Sequence, residues 1–529
     1  MKKNVISAML FALPTVVFAE QPTQLEPINV YSAYAAPVNQ DQTASSVTVL
    51  TEKDFANRNA TYVSDVLKTV PGVAMGANGG RGSLTSLFLR GANSKHTAVI
   101  IDGIRVNPVD NNFDFGGLNL SNVERIEVLR GEQSALWGSD AMGGVVYITT
   151  KSGLNKDKPF NVDFDLGYGS HRTRDGSITL SGQQNGFYYA LNGNSHRTRG
   201  ISAMSENVFH YTNTAGLRKS NTPASEKDGF HSDNASLRLG FDDGNKGVDF
   251  LALHSSQTVH IDSSASTERE FDDYTRTRET RFKLSGYIGN ADDLFVNKVA
   301  LSHSKKSAKT EQYQTWLSSV SESRSESKKL NANYQLDINF DRDGEVKQAV
   351  SLLADYQKQN YDASAYNYDR KKLTEKSIAT EYRLFTQSDH SFSVSGRYTD
   401  NTLFENALTY RLAGAYRLAP NFKAHTSFGK AIHNPTMLEY YGWAGTWLAN
   451  PTLKPEKSLG GEIGLLVETN DKAHSVDMTY FARNVDNYLT DEGSLTGIYG
   501  LTNRSVNRNG KTKIKGIELV YNGKFSDKV

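Results

Sequence analysis

The feature that most constrains the fold is a period-two alternation of apolar and polar residues that recurs after position 153. In NVDFDLGYG (161–169) every second residue is apolar, and LNANYQLDINF (330–340) has six apolar residues on one face and five polar residues on the other. A period of two places alternate side chains on opposite faces of a strand. Similar runs occupy residues 186–194, 235–241, 281–288, 347–356, 410–418, 422–429, 475–483 and 513–522.

These runs have the length that a bilayer requires. A strand tilted by ~45° crosses the hydrocarbon layer in roughly 9–11 residues, whereas strands of soluble proteins average ~5–6. In a transmembrane barrel one face of each strand meets lipid and the other meets a wet lumen, so the alternation satisfies both faces. The alternative is a secreted β-solenoid or β-helix, but no fixed repeat of ~20–30 residues supports it. The polar stretches 266–281 and 318–329 are predicted to form long external loops.

The N-terminus has the layout of a secretory signal peptide. Lys2 and Lys3 precede an apolar run over residues 5–18, and cleavage is expected after Ala19. An N-terminal membrane anchor is the alternative, but the run is shorter than the ~20 residues that a spanning helix needs. The sequence therefore predicts an exported protein without spanning helices.

Composition argues against several classes of function. The chain has 59 Lys+Arg against 58 Asp+Glu, whereas nucleic-acid-binding proteins usually carry a basic excess, so no nucleic acid partner is expected. The absence of cysteine excludes thiol catalysis and thiolate metal sites. An outer-membrane protease or lipase would need a nucleophile with its base, and no local signature of that kind is present, so an enzyme is not expected.

The first part of the chain has a different texture. Residues 20–44 are rich in Gln, Pro, Ala and Asn and lack periodicity, which predicts an extended, mobile segment. Residues 45–153 combine a strand, two short helices with Thr51 and Thr61 as candidate N-caps, and several short β-like runs. They are predicted to form a compact α+β domain.

The glycine-rich stretch VERIEVLRGEQSALWGSDAMGGVVYITTK (123–151) raises the question of a phosphate site. Such a site would need GxxxxGK[ST] or GxGxxG between a strand and a helix. This stretch lacks the lysine, and Gly143 and Gly144 lead into a β-branched strand. With Gly138, they are better explained by tight turns and close backbone packing.

This stretch resembles the end of the plug domain of TonB-dependent outer-membrane transporters, with Glu132 in place of the usual Pro, Trp137 in place of Tyr, and Tyr147 in place of Asn. VSDVLKTVPGV and LFLRGANSKHTAVIIDGIRVN resemble two further plug motifs. FGKAIHNPTMLEYYG and NPTLKPEKSLGGEIG resemble signatures of the family's barrel. The resemblance implies an all-β transmembrane barrel, of 22 antiparallel strands in the family, filled by an N-terminal α+β plug. Residues 1–19 would be the signal peptide, 20–44 a periplasmic segment, 45–153 the plug and 154–529 the barrel.

The resemblance also implies a function and partners. The family performs active transport of scarce nutrients across the Gram-negative outer membrane, energised by the periplasmic TonB protein, and carries out no bond chemistry. A monomer in contact with outer-membrane lipid and lipopolysaccharide is expected, with small-molecule cargo and no required cofactor. The segment LEPINVYSA resembles the TonB box, which pairs with TonB as an added strand. The residues assigned to this box are Glu26, Pro27, Ile28, Asn29, Val30, Tyr31 and Ser32.

Charged residues of the plug are interpreted as structural. Buried charges need partners, so internal and plug–wall ion pairs are favoured over cargo contacts. The residues concerned are Arg90, Asp102, Glu124, Arg125, Glu127 and Arg130.

The plug is most similar to the cobalamin transporter subgroup, which implies cobalamin or a related corrinoid as cargo. Glu226 and Asp228 match calcium ligands of that subgroup, but Ala224 and Ser202 stand where further oxygen ligands are expected. Because calcium needs six to eight oxygens, this departure puts calcium binding in the extracellular loops in question. The residues that the resemblance assigns to cargo contact are Leu84, Ser86, Asn93, Asn111 and Asn112.

Other cargoes and roles stay open. A haem receptor would use a histidine as an axial ligand, and His433 and His96 are candidates. Aromatic-rich loops such as YDASAYNYDR suit a ferric siderophore, and a surface adhesin or receptor that does not transport could use the loops alone.

The C-terminus gives a further expectation. The family ends on an aromatic residue, whereas this chain ends on Val529. At ~22 residues per strand and loop, the chain beyond residue 153 gives about 17 strands, fewer than the family's barrel. The barrel is therefore expected to be incomplete at the C-terminus, as a fragment of a longer protein or the product of a disrupted gene.

Overall fold

The computed structural model describes residues 29–110, 112–154, 156, 158–201, 227–261, 273–314, 319–342, 344–364, 369–442, 447–497 and 500–525. The expected signal peptide and residues 20–28 lie outside these ranges. No helix within the described ranges has the length and apolar character needed to cross a bilayer.

The N-terminal region forms three small sheets. β1 and β2 pair antiparallel, β4 and β5 form a hairpin, and the remaining strands form a five-stranded sheet in the order β3-β8-β9-β6-β7. These strands are β1 (Asn29–Val30), β2 (Val38–Asn39), β3 (Val47–Thr51), β4 (Val73–Ala77), β5 (Thr85–Leu89), β6 (Thr97–Ile101), β7 (Ile104–Arg105), β8 (Val123–Arg130) and β9 (Gly144–Thr150). The helices are α1 (Glu52–Asn57), α2 (Val63–Leu67) and α3 (Ser134–Trp137), with 3-10 turns at Gln40–Gln42 and Ser94–His96.

The two N-cap predictions have different outcomes. Thr51 caps α1, and its backbone N–H donates to Asp54 Oδ2 at 2.9 Å. Thr61 does not cap α2: the N-cap is Tyr62, whose N–H donates to Asp65 Oδ2 at 3.1 Å. The capping carboxylate three residues into the helix sets the boundary in both cases.

Beyond residue 160, most of the described residues form one 16-stranded antiparallel sheet, which we call the wall and which contacts the N-terminal domain. Its strands are β10 (Asn161–Gly169), β11 (Thr173–Gln184), β12 (Phe187–Thr198), β13 (Phe230–Asp242), β14 (Lys246–Ile261), β15 (Asp273–Ile288), β16 (Phe295–Gln314), β17 (Ser319–Asp341), β18 (Val346–Ala363), β19 (Lys371–Thr386), β20 (Ser391–Asn401), β21 (Ala407–Ala419), β22 (Phe422–His433), β24 (Glu456–Glu468), β25 (His474–Asp486) and β28 (Lys511–Gly523). Each predicted run lies within one of these strands or one residue beyond it. A 3-10 turn at Ser170–Arg172 joins the first two strands, and β10 and β28 are the edge strands in the described residues.

A smaller sheet and a helix are not part of the 16-stranded sheet. β23 (Trp447–Leu448), β26 (Leu489–Gly497) and β27 (Gly500–Asn507) form a three-stranded sheet, and α4 spans Met437–Tyr441. Thr436 caps α4, and Glu439 completes a capping box with it. These elements come from the connections that follow β22 and β25.

The alternating pattern sorts the side chains of the wall in the way a barrel requires. Along β19 the buried side chains that face the lumen include Glu375, Ser377 and Glu381, whereas Ile378 points outward and is 71% exposed. Leu166 on β10 is likewise 80% exposed. A polar inner face and an exposed apolar outer face are the inverse of a soluble protein and match a lipid-facing wall.

Several strands extend well beyond the length of the predicted runs. β17 has 23 residues and includes most of 318–329, so the prediction of an external loop there is wrong. β15 likewise takes in 273–281, the part of the polar stretch 266–281 that the structure describes. In both stretches the side chains on the two faces of the strand are polar. Backbone pairing with the neighbouring strands nevertheless continues through them.

The two ends of the wall differ in their connections. At one end, which we call the short-turn end, the connections are 185–186, 243–245, 289–294, 342–345, 387–390, 420–421 and 469–473. At the opposite, long-loop end they include 199–229, 262–272, 434–455 and 487–510. The core of the N-terminal domain lies between its five-stranded sheet and its helices and includes Val66, Leu67, Ile126 and Val146.

Candidate functional site

Residues 29–44, which we call the strap, fold against the N-terminal domain at the short-turn end. β1 pairs with β2 through Asn29–Asn39 and Val30–Val38, and a tight bend between them brings the chain back. The side chains of Val30, Ser32, Ala33 and Tyr34 are buried. The prediction of a mobile segment is therefore wrong for these residues. Of the assigned TonB box, the strap includes Asn29, Val30, Tyr31 and Ser32, while Glu26, Pro27 and Ile28 lie outside the described residues.

Glu127 on β8 holds the strap by its backbone. Its Oε2 accepts the N–H groups of Tyr31 and Ser32, both at 2.9 Å, and its side chain is fully buried. Arg125 Nε lies 3.2 Å from Glu127 Oε1 and its guanidinium stacks over the Tyr31 ring at 4.4 Å. Burial raises the pKa of the Glu127 carboxyl, although Arg125 and the donors from Ser32 oppose that shift. Trp137 Nε1 donates to Ser32 O at 2.9 Å. Glu127 and Trp137 therefore hold the N–H and the carbonyl group of the same residue, Ser32.

The strap also bridges to the wall. The N–H of Ala35 donates to Glu381 Oε2 at 2.8 Å, and Gln335 Nε2 donates to Ala35 O at 2.8 Å. The Tyr34 ring packs edge-on against Phe385, with centroids 5.5 Å apart. The strap therefore fills part of the space between the N-terminal domain, which we call the plug, and the wall at the short-turn end.

Ion pairs connect the plug to the wall, as the sequence predicted. Arg90 Nη1 lies 2.5 Å from Glu462 Oε2 and its Nη2 lies 2.7 Å from Glu518 Oε2. Arg130 Nε is 3.6 Å from Glu518 Oε2, and Asp102 pairs with Arg238 of the wall at 3.5 Å. The predicted partners were sequence neighbours, but Arg90 and Arg130 bind carboxylates far along the chain, since each wall strand presents its inner face to the plug. Arg125–Glu127 is the internal pair, and Glu124 lies exposed.

Both histidines considered as haem ligands lie in a buried plug–wall contact. His96 Nε2 is 2.7 Å from Glu456 Oε2, and His433 Nδ1 is 2.8 Å from Asp140 Oδ1. The two rings face each other with centroids 5.3 Å apart. Because each ring is buried and pairs with a carboxylate, neither is placed to meet a haem iron in this conformation.

The structure brings together two of the residues assigned to cargo contact. Asn112 Nδ2 donates to Ser86 Oγ at 2.8 Å, and both side chains are partly exposed. Asn93 Oδ1 instead accepts the N–H of Lys95 at 3.1 Å and caps the turn that follows it. Leu84 lies half-buried before β5, and its carbonyl accepts the N–H of Asn78 at 3.1 Å. Asn111 is outside the described residues.

Of the two expected calcium ligands only Asp228 is described. It is buried, and its backbone N–H donates to Ile201 O at 3.1 Å. Glu226 lies outside the described residues, as do Ser202 and Ala224. In the part of the chain that the structure describes, no group of three or more His, Asp or Glu side chains is arranged to hold a metal ion.

A chamber of about 1130 Å³ lies between the plug and the inner face of the wall. It begins at the short-turn end, where Asp242, Asn290 and Arg342 line it, and extends along the wall to Arg105 and Glu375. Strap residues 34–39 form part of its lining. We call it the lumen chamber.

Most of these contacts are not predictable from the sequence. Glu381 lies in no motif, Trp137 is recognisable only as the residue in place of Tyr in the plug pattern, and Glu127 only as a charge near Arg125. A buried acidic residue at the middle of an apolar strand, as in VERIEVLR, was the available signal, because such a charge needs partners. The pairing with strap residues 96 positions earlier has no signal in the sequence.

Comparisons with known proteins agree with this arrangement. Residues 39–145 match the family model of the TonB-dependent receptor plug domain, and residues 216–527 match that of the TonB-dependent receptor-like β-barrel. The vitamin B12 transporter BtuB of Vibrio vulnificus is 26% identical over 479 residues, which is 88% of this chain and 72% of that protein. BtuB of Photobacterium profundum is 25% identical, covering 88% of this chain and 71% of that protein.

Solved structures show the same fold. A mutant of the ferric enterobactin receptor PfeA from Pseudomonas aeruginosa aligns with a TM-score of 0.76 at 17% identity, over 93% of this chain and 80% of that one. The siderophore receptor PirA from Acinetobacter baumannii aligns with a TM-score of 0.72 at 19% identity, over 91% and 79%. With a plug inside an antiparallel wall and both family models matched, this chain belongs to the TonB-dependent receptors of the Gram-negative outer membrane.

Proposed function

We propose that this TonB-dependent outer-membrane transporter carries cobalamin or a related corrinoid. The observation that supports this cargo is the similarity to proteins named vitamin B12 transporter, at 24–26% identity across 88–92% of this chain. The solved siderophore receptors, at under 20% identity, share only the fold and favour no cargo.

The surface of the plug around Ser86 and Asn112, which we call the apex, has the chemistry that such a cargo would need. The partly exposed Ser86–Asn112 pair presents a hydroxyl and an amide beside the half-buried Leu84. A corrinoid has amide side chains around an apolar ring system, and pockets for ligands of this kind combine apolar surface with a few polar groups that fix orientation. Donors and acceptors at Ser86 and Asn112 would then select for the amides.

The strap is the proposed contact for TonB. A segment joins another sheet edge by offering its backbone N–H and C=O groups. In the docked strap Glu127 occupies the N–H groups of Tyr31 and Ser32, and Trp137 occupies the carbonyl of Ser32. Strand addition to TonB would therefore require that these hydrogen bonds break first.

Equilibrium binding tests the cargo. We would measure cyanocobalamin binding to the protein purified from the outer membrane, with haem and a ferric catecholate siderophore as competing cargoes and with calcium present or chelated. Saturable cyanocobalamin binding that neither competitor displaces supports the proposal. Absence of cyanocobalamin binding together with saturable binding of haem or the siderophore overturns it.

A further inference from the structure

In the part of the chain that the structure describes, the lumen chamber lies on one side of the plug. Most of its lining comes from β14 to β20, with Tyr188 of β12 and Asp242 of β13, together with plug residues 103–105 and 136–139 and the strap. On the other side of the plug, a cleft lined by Glu132, Phe481 and Arg483 is too narrow to hold a water molecule. At this cleft the plug packs closely against β22, β24 and β25, whereas the chamber separates part of its surface from β14 to β20. It still reaches those strands through individual contacts, such as the hydrogen bond from Arg397 Nη1 to Leu136 O at 3.1 Å.

An ion pair closes the chamber toward the long-loop end. Arg105 Nη2 on the plug lies 2.6 Å from Glu375 Oε2 on the wall, and Arg105 Nη1 donates to Ser139 O at 3.0 Å. Asn401 and Asn434 donate to Glu375 Oε1 at 3.2 and 3.1 Å. Glu375 is thus an acceptor shared by the plug, the wall and the loop that precedes α4.

An apolar layer lies beyond this ion pair. Val109 of the plug is buried in one cluster with Tyr361, Leu373, Phe404 and Met437 of the wall and its loops. The N–H of Met437 donates to Val109 O at 2.8 Å, and the Tyr361 hydroxyl donates to Asp110 Oδ2 at 3.0 Å. The cluster seals the plug loop against the long-loop end, because every one of these side chains is at least nine-tenths buried.

We infer that the cargo route runs between the plug and the β17–β20 wall, through the lumen chamber. Two closures block it: the Arg105–Glu375 ion pair and the Val109 apolar cluster. A third boundary is the strap, whose Ala35 lines the short-turn end of the chamber and is hydrogen-bonded to the wall. The inference rests on the proposed transport function and adds where in the molecule the passage opens.

The charge and size of the chamber agree with a passage. Ligand pockets typically enclose about 300–1,000 Å³, so the chamber could hold a cargo of that size after the closures open. Its wall presents both signs of charge, including Lys283, Asp337, Asp355 and Arg397. A lining of mixed charge binds no single ion strongly, which suits a route that a solute must also leave.

The first test removes the closures and measures permeability, which requires no cargo. We would purify the protein from the outer membrane, reconstitute it into liposomes and follow liposome swelling in sugars of increasing size. The variant Glu375→Ala/Phe404→Ala/Met437→Ala should raise swelling several-fold over the wild type. The matched control Glu132→Ala/Met142→Ala/Val485→Ala removes an ion-pair partner of Arg483 and an apolar cluster on the packed side, and should stay at the wild-type level.

Swelling of the folded gate variant at the wild-type level would overturn the inference, as would equal swelling of both variants. A lock provides a second measurement if the gate variant does not fold. The chain has no cysteine, so Val109→Cys/Met437→Cys introduces a single pair whose backbones are already hydrogen-bonded. Met142→Cys/Ala431→Cys is the matched pair on the packed side.

Cobalamin uptake should be lost on oxidation of the first pair, return with reductant, and persist on oxidation of the second pair. Two results would contradict a route confined to the β17–β20 side. One is persistent uptake by the first variant after oxidation, and the other is loss of uptake in each of the two variants after oxidation. Failure of the wild type to take up cobalamin would contradict the proposed cargo, while the swelling measurement would still decide the route.

Discussion

Glu127 Oε2 accepts the backbone N–H of Ser32 at 2.9 Å across a separation of 95 positions, and this bond joins the strap to β8 of the plug sheet. It occupies a backbone N–H group that a partner strand would need. The docked strap is therefore unavailable for strand addition until the bond to Glu127 opens.

Glu127→Ala should release the strap. Hydrogen bonds to a charged group are worth about 1.5–3 kcal/mol, so we expect hydrogen exchange at the Tyr31 and Ser32 amides to accelerate by about 10- to 100-fold. Glu124→Ala on the same strand is the control, because Glu124 is exposed and should leave both amides unchanged. Unchanged protection in Glu127→Ala would mean that the carboxylate does not hold the strap.

Trp137→Phe keeps an aromatic ring but removes the indole N–H that donates to Ser32 O. A neutral hydrogen bond contributes about 1 kcal/mol, so local opening of the strap should increase by roughly fivefold. The readout is exchange of the strap amides by mass spectrometry. Trp447→Phe is a matched substitution, since its indole donates to Ser505 in the long-loop sheet, and it should not change strap exchange.

Arg90→Ala should loosen the plug within the wall. It leaves the buried carboxylate of Glu462 without its partner, and removal of one member of a buried pair costs about 3–5 kcal/mol. We expect the urea midpoint for plug unfolding, followed by tryptophan fluorescence, to fall clearly. Arg81→Ala, which removes a partly exposed ion pair with Asp65, should cause little change. Equal midpoints for the two variants would contradict the assignment of Arg90 as an anchor.

Acid should weaken one plug–wall contact in a defined window. Burial disfavours the charged form of Asp140, but the hydrogen bond from His433 and the charge of Arg105 outweigh it and hold the pKa of Asp140 at about 2, below its usual 3.8. A depressed carboxyl pKa gives stability that is present above pH 3.8 and is lost as the pH falls toward 2. We expect Asp140 to contribute about 2 kcal/mol across that window. Asp140→Asn should abolish this part of the pH dependence in acid unfolding, whereas Asp243→Asn in an exposed turn should preserve it.

Asn112→Ala should weaken cobalamin binding if the apex recognises the cargo. Loss of one amide contact is expected to raise the Kd by roughly 5- to 10-fold. Asn93→Ala removes a side-chain amide whose Oδ1 already accepts the N–H of Lys95, so its effect on cobalamin binding should be smaller. A larger effect for Asn93 than for Asn112 would reverse the assignment of the two residues. Isothermal titration with cyanocobalamin would measure both.

The sequence predicted the fold well because its signals are local. Each wall strand carries its own alternation, as in residues 161–169, and the plug motifs lie at turns whose glycines are required by backbone geometry. Gly144, for example, has a φ of +153°, and a Cβ there would come within 2.2 Å of Leu129 O. Strand lengths were underestimated in β17, where polar residues alternate with polar residues and hydropathy gives no pattern.

The contacts of the site were poorly predicted because they are long-range. Docking of the strap depends on Glu127 and Glu381, which belong to different domains and come together only after the plug enters the wall. The partners of Arg90 lie 372 and 428 positions away. A histidine such as His96 or His433 can be a metal ligand wherever it occurs, so the sequence alone does not decide its role. The structure shows that Glu456 and Asp140 lie beside these two rings. The domain limits and the calcium ligands remain predictions.

The most direct test of transport is uptake of radiolabelled cyanocobalamin by cells that lack their own B12 transporter and express this protein, with and without TonB. We expect accumulation that requires TonB. It should be lost in Val30→Pro, which removes a backbone donor from the strap while leaving cobalamin binding at the cell surface intact. Surface binding without accumulation in TonB-containing cells, or accumulation that persists without TonB, would contradict TonB-dependent corrinoid transport by this protein.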